Sequence, residues 1–182
     1  MTAVSVLAVI ASPSVGGRTT TAARAMLDAA QDAGASVELR ELASTTTDDA
    51  LAAIDAADAV LFGSPVYRAG HTALLRSLLE STQRGMYGEA TAPLRGKTTA
   101  IVMTGASAHH YLAPDGLRSV LASFFAAQVL SPSLYLDGSA FTPEKTLTDS
   151  AAALAAAHGA ALVELAAAVR SSKVLSTLEP QV

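Results

Sequence analysis

The sequence predicts an α/β fold: a doubly wound, five-stranded parallel sheet with helices on both faces. Short aliphatic runs alternate five times with longer segments whose apolar residues recur at helical spacing. Most of these runs are continuously apolar, which is typical of parallel strands covered on both faces. Parallel neighbours require right-handed crossovers, and the intervening helices supply them. Two loops rich in Ser, Pro and Gly directly follow strand-like runs, so they should lie at the carboxyl edge of the sheet.

The first elements follow from these patterns. The run 4–10 predicts a buried strand, and 37–40 alternates like an edge strand. Between them, one helical face is formed by Ala22, Met26, Ala29 and Ala33. Gly34 is a typical helix-ending residue. The segment 48–57 predicts a second helix. Leu51 and Ile54 would face inward, and Asp48 or Thr47 would cap its start.

The remaining elements continue the alternation. The predicted strands are 59–62, 97–104 and 129–136. The helix 71–83 is rich in leucine, and part of its wide apolar face is a candidate subunit contact. A helix at 117–127 follows, with apolar residues Val120, Leu121, Phe124 and Phe125. The last helix, 148–171, carries a predicted apolar stripe of Leu154, His158, Leu162, Leu165 and Val169.

Length and composition restrict the class of protein. A chain of 182 residues with 51% apolar and 15% charged residues fits one folded domain, predicted over 1–175 with a tail over 176–182. The net charge of −4 argues against a nucleic-acid partner. The chain has no cysteine, which excludes disulfides, thiolate metal sites and cysteine nucleophiles. Charged residues interrupt the alanine-rich segment 148–171, so we expect a cytoplasmic protein that does not span a membrane.

The first candidate loop is Ser12-Pro13-Ser14-Val15-Gly16-Gly17-Arg18-Thr19-Thr20. It is neither a G-x-G-x-x-G fingerprint nor a P-loop. It combines hydroxyls, one arginine and a helix start, where free N–H groups and partial positive charge favour anions. Two interpretations remain open at this point: a phosphate-monoester site, or serine and threonine that only cap the helix.

The second candidate loop is Gly63-Ser64-Pro65-Val66-Tyr67-Arg68. Pro65 fixes its own backbone and disfavours a helical conformation at Ser64. A planar ring could lie against Pro65, Val66 and Tyr67. The alternative is an ordinary strand-to-helix turn with Tyr67 as rim packing.

The third candidate loop is Thr104-Gly105-Ala106-Ser107-Ala108-His109-His110-Tyr111. Its small residues leave room for a ligand. A metal site at His109 and His110 is disfavoured because no carboxylate cluster accompanies them. A hydrolase nucleophile at Ser107 lacks the second glycine of G-x-S-x-G. His109 could contact a ligand or simply cap a turn.

Together these three segments resemble the NAD(P)H-dependent FMN reductases of the flavodoxin-like superfamily, especially those that supply sulfonate monooxygenases. The resemblance implies FMN and NADPH or NADH as cofactors. It also implies a set of FMN-binding residues: Ser12, Ser14, Arg18, Thr19 and Thr20 around the phosphate, Pro65, Val66, Tyr67 and Arg68 along the ribityl chain and ring, and Thr104, Gly105, Ala106, Ser107 and His109 at the other edge. Gly17 stands where similar enzymes often place Ser, and Ser14 stands where some of them place Arg.

The resemblance also implies the chemistry. Hydride would pass from the nicotinamide to FMN without a catalytic acid or base and without a metal, and reduced FMN would serve a monooxygenase. It implies a homodimer or homotetramer, and a π-bulge near Gly70-His71-Thr72-Ala73 that involves His71 in flavin retention at an interface. The alternatives are an FMN-retaining quinone or azo reductase, a non-catalytic flavodoxin-type electron carrier, and an interaction protein that has lost its cofactor. The sequence does not distinguish NADH from NADPH.

Overall fold

A parallel sheet forms the centre of the molecule in the computed structural model, which describes residues 2–180. Its strands are β1 (Ser5–Ile10), β2 (Ser36–Glu41), β3 (Ala59–Pro65), β4 (Thr98–Thr104), β5 (Gln128–Val129) and β6 (Leu134–Leu136). They are ordered β2-β1-β3-β4-β5, with β6 also paired to β4, and every pair is parallel. The predicted doubly wound α/β fold is confirmed.

The fifth position of the sheet is shared by two short strands, whereas the sequence predicted one strand over 129–136. β5 pairs with the start of β4, and β6 pairs with its end. The residues between them contain Pro132, which has no N–H to donate to a ladder. The hydroxyls of Ser131 and Ser133 instead accept hydrogen bonds from the Arg118 guanidinium, at 3.3 and 3.1 Å. The backbone therefore leaves the sheet after Leu130, whose N–H still donates to Thr99 O at 2.8 Å, and rejoins it at Leu134.

The helices cover both faces of the sheet. The helices are α1 (Arg18–Asp32), α2 (Thr47–Ala56), α3 (Ala73–Ser81), α4 (Pro114–Ser119) and α5 (Asp149–Ser171). Two separate buried clusters result, one beneath α1 and α5 and the other beneath α2, α3 and α4. By length and composition α5 could cross a membrane, but here it packs along α1 as a helix of the core.

The buried face of α5 differs from the predicted stripe. Leu162 and Val169 are buried as expected, whereas Leu154 is 45% exposed. Small residues occupy the buried face because α1 approaches closely. A Cβ added to Gly159 would lie 2.1 Å from the carbonyl oxygen of Met26. The large side chains on the predicted stripe would not all fit at such a contact.

Two local features of the helices also differ from expectation. Thr46, rather than Thr47 or Asp48, caps α2, with its Oγ1 accepting from Asp49 N at 3.2 Å. The π-bulge expected at 70–73 is wrong, because α3 begins regularly at Ala73 after the cap residue Thr72. A π-helical turn lies instead at Val120–Phe124, directly after α4. The helix predicted over 117–127 is therefore α-helical only in its first part.

Candidate functional site

Three loops meet at the carboxyl edge of the sheet. We define them as loop 1 (11–17), loop 2 (66–72) and loop 3 (105–113). Thr72 of loop 2 donates its hydroxyl hydrogen bond to the carbonyl oxygen of Ala11 in loop 1, at 2.7 Å. Val66 N donates to the carbonyl oxygen of Thr104, at 2.8 Å. The hydroxyls of Thr19 and Thr104 bond to each other at 2.7 Å. The structure thus brings the three predicted segments into direct contact.

The start of α1 differs from the starts of three other helices in the described part of the chain. Thr46, Thr72 and Thr148 cap α2, α3 and α5 with side-chain hydrogen bonds. At α1 the N-cap is Gly17, no side chain caps the helix, and the first turn has no acidic residue. The interpretation that loop 1 serves only as a cap is therefore wrong. The first backbone N–H groups of α1 keep their donors and partial positive charge for another acceptor.

The hydroxyl residues predicted at this position have different surroundings. Ser12, Thr19 and Thr20 are buried. The Thr19 hydroxyl is engaged with Thr104, and the Thr20 hydroxyl donates to Glu41 Oε1 at 2.6 Å. Ser12 Oγ accepts a long hydrogen bond from Ser14 N, at 3.4 Å, and keeps its own proton for another acceptor. An anion here would therefore meet backbone N–H groups, Ser12 and Ser14, whereas the Thr20 hydroxyl has its proton committed to Glu41.

Glu41 is a residue of this edge that sequence reasoning missed. It ends β2, and its Oε1 accepts from both Gly16 N, at 2.9 Å, and Thr20 Oγ1. The carboxylate therefore fixes loop 1 against β2. A signal did exist in the sequence, because the end of an edge strand beside β1 must lie next to the loop that follows β1.

Arg18 extends from the start of α1 toward a fourth segment, loop 4 (137–148), which connects β6 to α5. Its guanidinium lies over the ring of Phe141, 5.2 Å from the ring centre, and Arg18 remains exposed. A Cβ on Gly138 would lie 3.9 Å from Arg18 Nη1. Loop 4 therefore borders the site, although none of its residues was predicted there.

Loop 2 contains a tight turn held by reciprocal hydrogen bonds. Tyr67 N donates to the Gly70 carbonyl at 2.9 Å, and Gly70 N donates to the Tyr67 carbonyl at 3.1 Å. The two central residues, Arg68 and Ala69, have φ of 52° and 64°. Positive φ at two successive residues is typical of a type I′ turn and is costly for residues with a Cβ. The turn leaves Tyr67 54% exposed at the edge of the sheet, with Pro65 and Val66 half-buried beneath it.

Loop 3 follows β4 and is open to solvent. Ala106, Ser107 and His109 are exposed, and Gly105 is half-buried. Tyr135 of β6 donates its hydroxyl hydrogen bond to the Ser107 carbonyl at 2.6 Å. This approach requires glycine at 105, because a Cβ there would lie 2.1 Å from Tyr135 Oη. Burial, followed by the nearby Asp137 carboxylate, raises the pKa of Tyr135 above its ordinary value, so Tyr135 stays a hydrogen-bond donor.

His71 lies outside these contacts, just before the cap of α3. It is half-buried and lines a groove of about 490 Å³ between α3 and the π-helical turn, where the Arg84 guanidinium lies 3.9 Å from the centre of the Phe124 ring. Desolvation, followed by the charge of Arg76, lowers the pKa of His71 below its ordinary value. The structure thus places His71 in the wall of this groove.

The edge has two chemically different ends. At α1 it offers backbone N–H groups, serine hydroxyls and the Arg18 guanidinium, which suit a phosphate group. At loops 2 and 3 it offers a proline, an exposed tyrosine and small residues, which suit a planar ring. Residues 2–180 contain no cluster of His, Asp or Glu that could hold a metal ion. A ligand with a phosphate at one end and an aromatic ring system at the other fits this arrangement.

Comparisons with known proteins identify the family of this chain. A family model described as NADPH-dependent FMN reductase matches residues 4–142. An NADH-dependent FMN reductase, SfnF, from Pseudomonas putida is 36% identical over 102 residues, which cover 56% of this chain and 51% of that protein. The alignment thus spans about half the length of this curated relative.

Solved structures share the fold at low sequence identity. The apo form of an NADH:FMN oxidoreductase (EMOB) superimposes with a TM-score of 0.75 and 22% identity, covering 96% of this chain and 95% of that one. A WrbA-like flavodoxin protein from Agrobacterium tumefaciens has a TM-score of 0.71 and 19% identity, covering 92% and 99%. The flavodoxin-like fold predicted from the sequence is confirmed. With most of its length matched by the family model, the chain belongs to the NADPH-dependent FMN reductase family.

Proposed function

We propose that this protein is an NAD(P)H-dependent FMN reductase that transfers hydride from a reduced nicotinamide to FMN. The observation that supports this most directly is the uncapped start of α1. Its free N–H groups lie beside Arg18 and on the same edge as loops 2 and 3. Family membership gives independent support for the flavin and for the nicotinamide donor.

In this proposal each part of the edge has a separate task. The first N–H groups of α1, with Ser12, Ser14 and Arg18, hold the phosphate. Thr19 and Thr20 fix the loop through Thr104 and Glu41. FMN, when bound, supplies the hydride-accepting ring, and the chain orients it without a side-chain acid or base.

The ring region has its own set of residues. Loop 2 lines the ring and ribityl chain through Pro65, Val66, Tyr67 and Arg68. Loop 3 borders the other edge through Gly105, Ala106, Ser107 and His109, with Thr104 at its base. The exposed side of this region is the side from which a nicotinamide can approach.

The contacts at the phosphate end of the site favour a reductase that releases its flavin. Both threonine hydroxyls are engaged within the protein, and a carboxylate lies against loop 1. We therefore propose that FMN is a diffusible substrate and that its reduced form supplies a flavin-dependent monooxygenase in the cytoplasm. We also propose one flavin-binding domain over 1–175 and a tail over 176–182, of which 181 and 182 lie outside the described residues.

Association of subunits is a further part of the proposal. Phe124, which is 47% exposed, lines the groove that contains His71. We propose that this face joins copies of the chain into a homodimer or homotetramer, and that His71 influences flavin retention there.

The experiment is oxidation of NADH and of NADPH by dialysed, colourless protein, with and without added FMN. We expect oxidation that depends on FMN and saturates with it. Protein that stays yellow after dialysis and reduces quinones or azo compounds without added FMN would indicate the flavin-retaining alternative. Binding of FMN without oxidation of either nucleotide would indicate an electron carrier and would refute the proposed reaction.

A further inference from the structure

A second cavity adjoins the candidate flavin site on the side of α5. It measures about 380 Å³, within the range of ligand-binding cavities, roughly 300–1,000 Å³. Ala108 of loop 3 forms part of its wall, so the cavity begins where the proposed ring site ends. The rest of its lining comes from Tyr111, from β6 and loop 4, and from the first turns of α5.

The walls of this cavity combine apolar surface with one fixed carboxylate. Tyr111 is 63% exposed, and Leu154 contributes apolar area from α5. Asp137 Oδ1 accepts from both Ser139 N, at 2.8 Å, and Ser139 Oγ, at 2.6 Å. Among residues 2–180, no hydrogen bond to Oδ2 is formed. These bonds, the side-chain hydroxyl first, lower the pKa of Asp137, so it is ionised at neutral pH.

The lining of the cavity carries a negative charge, at Asp137. Its lining residues, all in the described part of the chain, include no lysine, arginine or histidine. Arg18 approaches loop 4 at Gly138 and Phe141 but does not line the cavity. A ligand there meets one negative charge, several hydroxyls and an aromatic face. Ribose hydroxyls and a purine ring suit that lining, whereas a phosphate monoester of charge about −1.5 to −2 does not.

From these observations we propose that this cavity binds the adenosine end of the nicotinamide nucleotide, and that Asp137 selects NADH over NADPH. The inference rests on the proposed function. An acidic residue that accepts from the ribose 2′-hydroxyl of NADH would repel the 2′-phosphate of NADPH by the same charge. The descriptions of the matched proteins differ in the nucleotide they name. The family model is described as NADPH-dependent, and the Pseudomonas putida protein as NADH-dependent.

The test separates this inference from the proposed function by using ligands without a nicotinamide. ADP-ribose and 2′-phospho-ADP-ribose are titrated into wild-type protein and into Asp137→Asn by calorimetry. We expect wild-type protein to bind ADP-ribose about tenfold or more tightly than its 2′-phospho form. In D137N the preference should fall about fivefold, because one like charge within a Debye length is removed. Steady-state KM values for NADH and NADPH should shift in parallel.

Asp32→Asn is the matched control, because it removes the same charge from the exposed end of α1, at the opposite edge of the sheet from the cavity. Its preference should stay within about twofold of wild type. Equal binding of the two ligands by wild-type protein, or an unchanged preference in D137N, would overturn the inference. Failure of FMN-dependent oxidation with either nucleotide would instead refute the proposed function.

Discussion

Glu41 offers the sharpest test of the phosphate end of the site. Its carboxylate accepts from Gly16 N and from Thr20 Oγ1 at the loop that should hold the phosphate. In Glu41→Gln the amide oxygen can still accept both hydrogen bonds, while the negative charge is lost. The substitution therefore changes the electrostatics of loop 1 and leaves its hydrogen-bonded geometry in place.

The size of the effect follows from those contacts. A group hydrogen-bonded to loop 1 lies within about one Debye length, ~8 Å, of any anion bound at the start of α1. Repulsion between a carboxylate and a phosphate of about −1.5 to −2, at an effective dielectric constant of ~20 and after screening, is on the order of 1 kcal/mol. We therefore expect E41Q to bind FMN about fivefold more tightly than wild-type protein.

The assay compares FMN with riboflavin, which has the same ring and no phosphate. Quenching of flavin fluorescence by the apo-protein gives both dissociation constants. E41Q should lower the constant for FMN and leave that for riboflavin unchanged, and the gain for FMN should shrink as salt is added. A merely structural role of Glu41 would change both flavins together.

Glu38→Gln provides the control on the same strand, because Glu38 is exposed and pairs with Arg40 rather than with loop 1. It should leave both dissociation constants near wild type. Equal changes for FMN and riboflavin in E41Q, or weaker FMN binding with unchanged riboflavin binding, would refute the electrostatic reasoning.

Two further substitutions test the site and the fold. Arg18→Ala should raise the dissociation constant for FMN about tenfold in the same titration, because one charge-assisted contact is lost. Arg24→Ala, on the exposed side of α1, should leave that constant unchanged. Equal effects of the two substitutions would show that Arg18 does not contact the phosphate. Gly159→Ala should lower the free energy of unfolding by about 2 kcal/mol or more in urea denaturation, because its Cβ would lie 2.1 Å from Met26 O. Gly116→Ala on α4, where a Cβ meets open space, should be neutral or slightly stabilising, and similar losses in both variants would contradict the helix-packing argument.

The order of strands and helices could be predicted because it depends on patterns that local sequence carries. Continuous apolar runs identify β1, β3 and β4, and the helical spacing of Ala22 and Met26 identifies α1. Gly34, predicted to end that helix, has φ of 89° directly after it. Such features need no knowledge of distant contacts.

The errors arose where distant contacts decide the outcome. The first half of the buried face of α5 consists of the small residues Ala151, Ala155 and Gly159 because α1 lies against them, which no periodicity of α5 reveals. The division of the fifth strand depends on Pro132 together with hydrogen bonds from Arg118. The π-helical turn lies after α4 and not before α3. Nothing in the residues around His71 indicates this position.

The candidate site shows the same division. Loops 1, 2 and 3 could be placed at one edge from their positions after predicted strands. Glu41, Tyr135 and Asp137 were missed because each reaches the edge from a neighbouring strand or from loop 4. Their parts depend on sheet order and side-chain direction rather than on any local motif.

The central claim is that this edge of the sheet holds a flavin mononucleotide by its phosphate. The most direct measurement is a fluorescence titration of the wild-type apo-protein with FMN and, separately, with riboflavin. We predict one saturable FMN site per chain and an affinity for FMN at least about tenfold higher than for riboflavin, the contribution of a charge-assisted phosphate contact. Equal affinity for the two flavins, or no saturable binding of FMN, would contradict the claim.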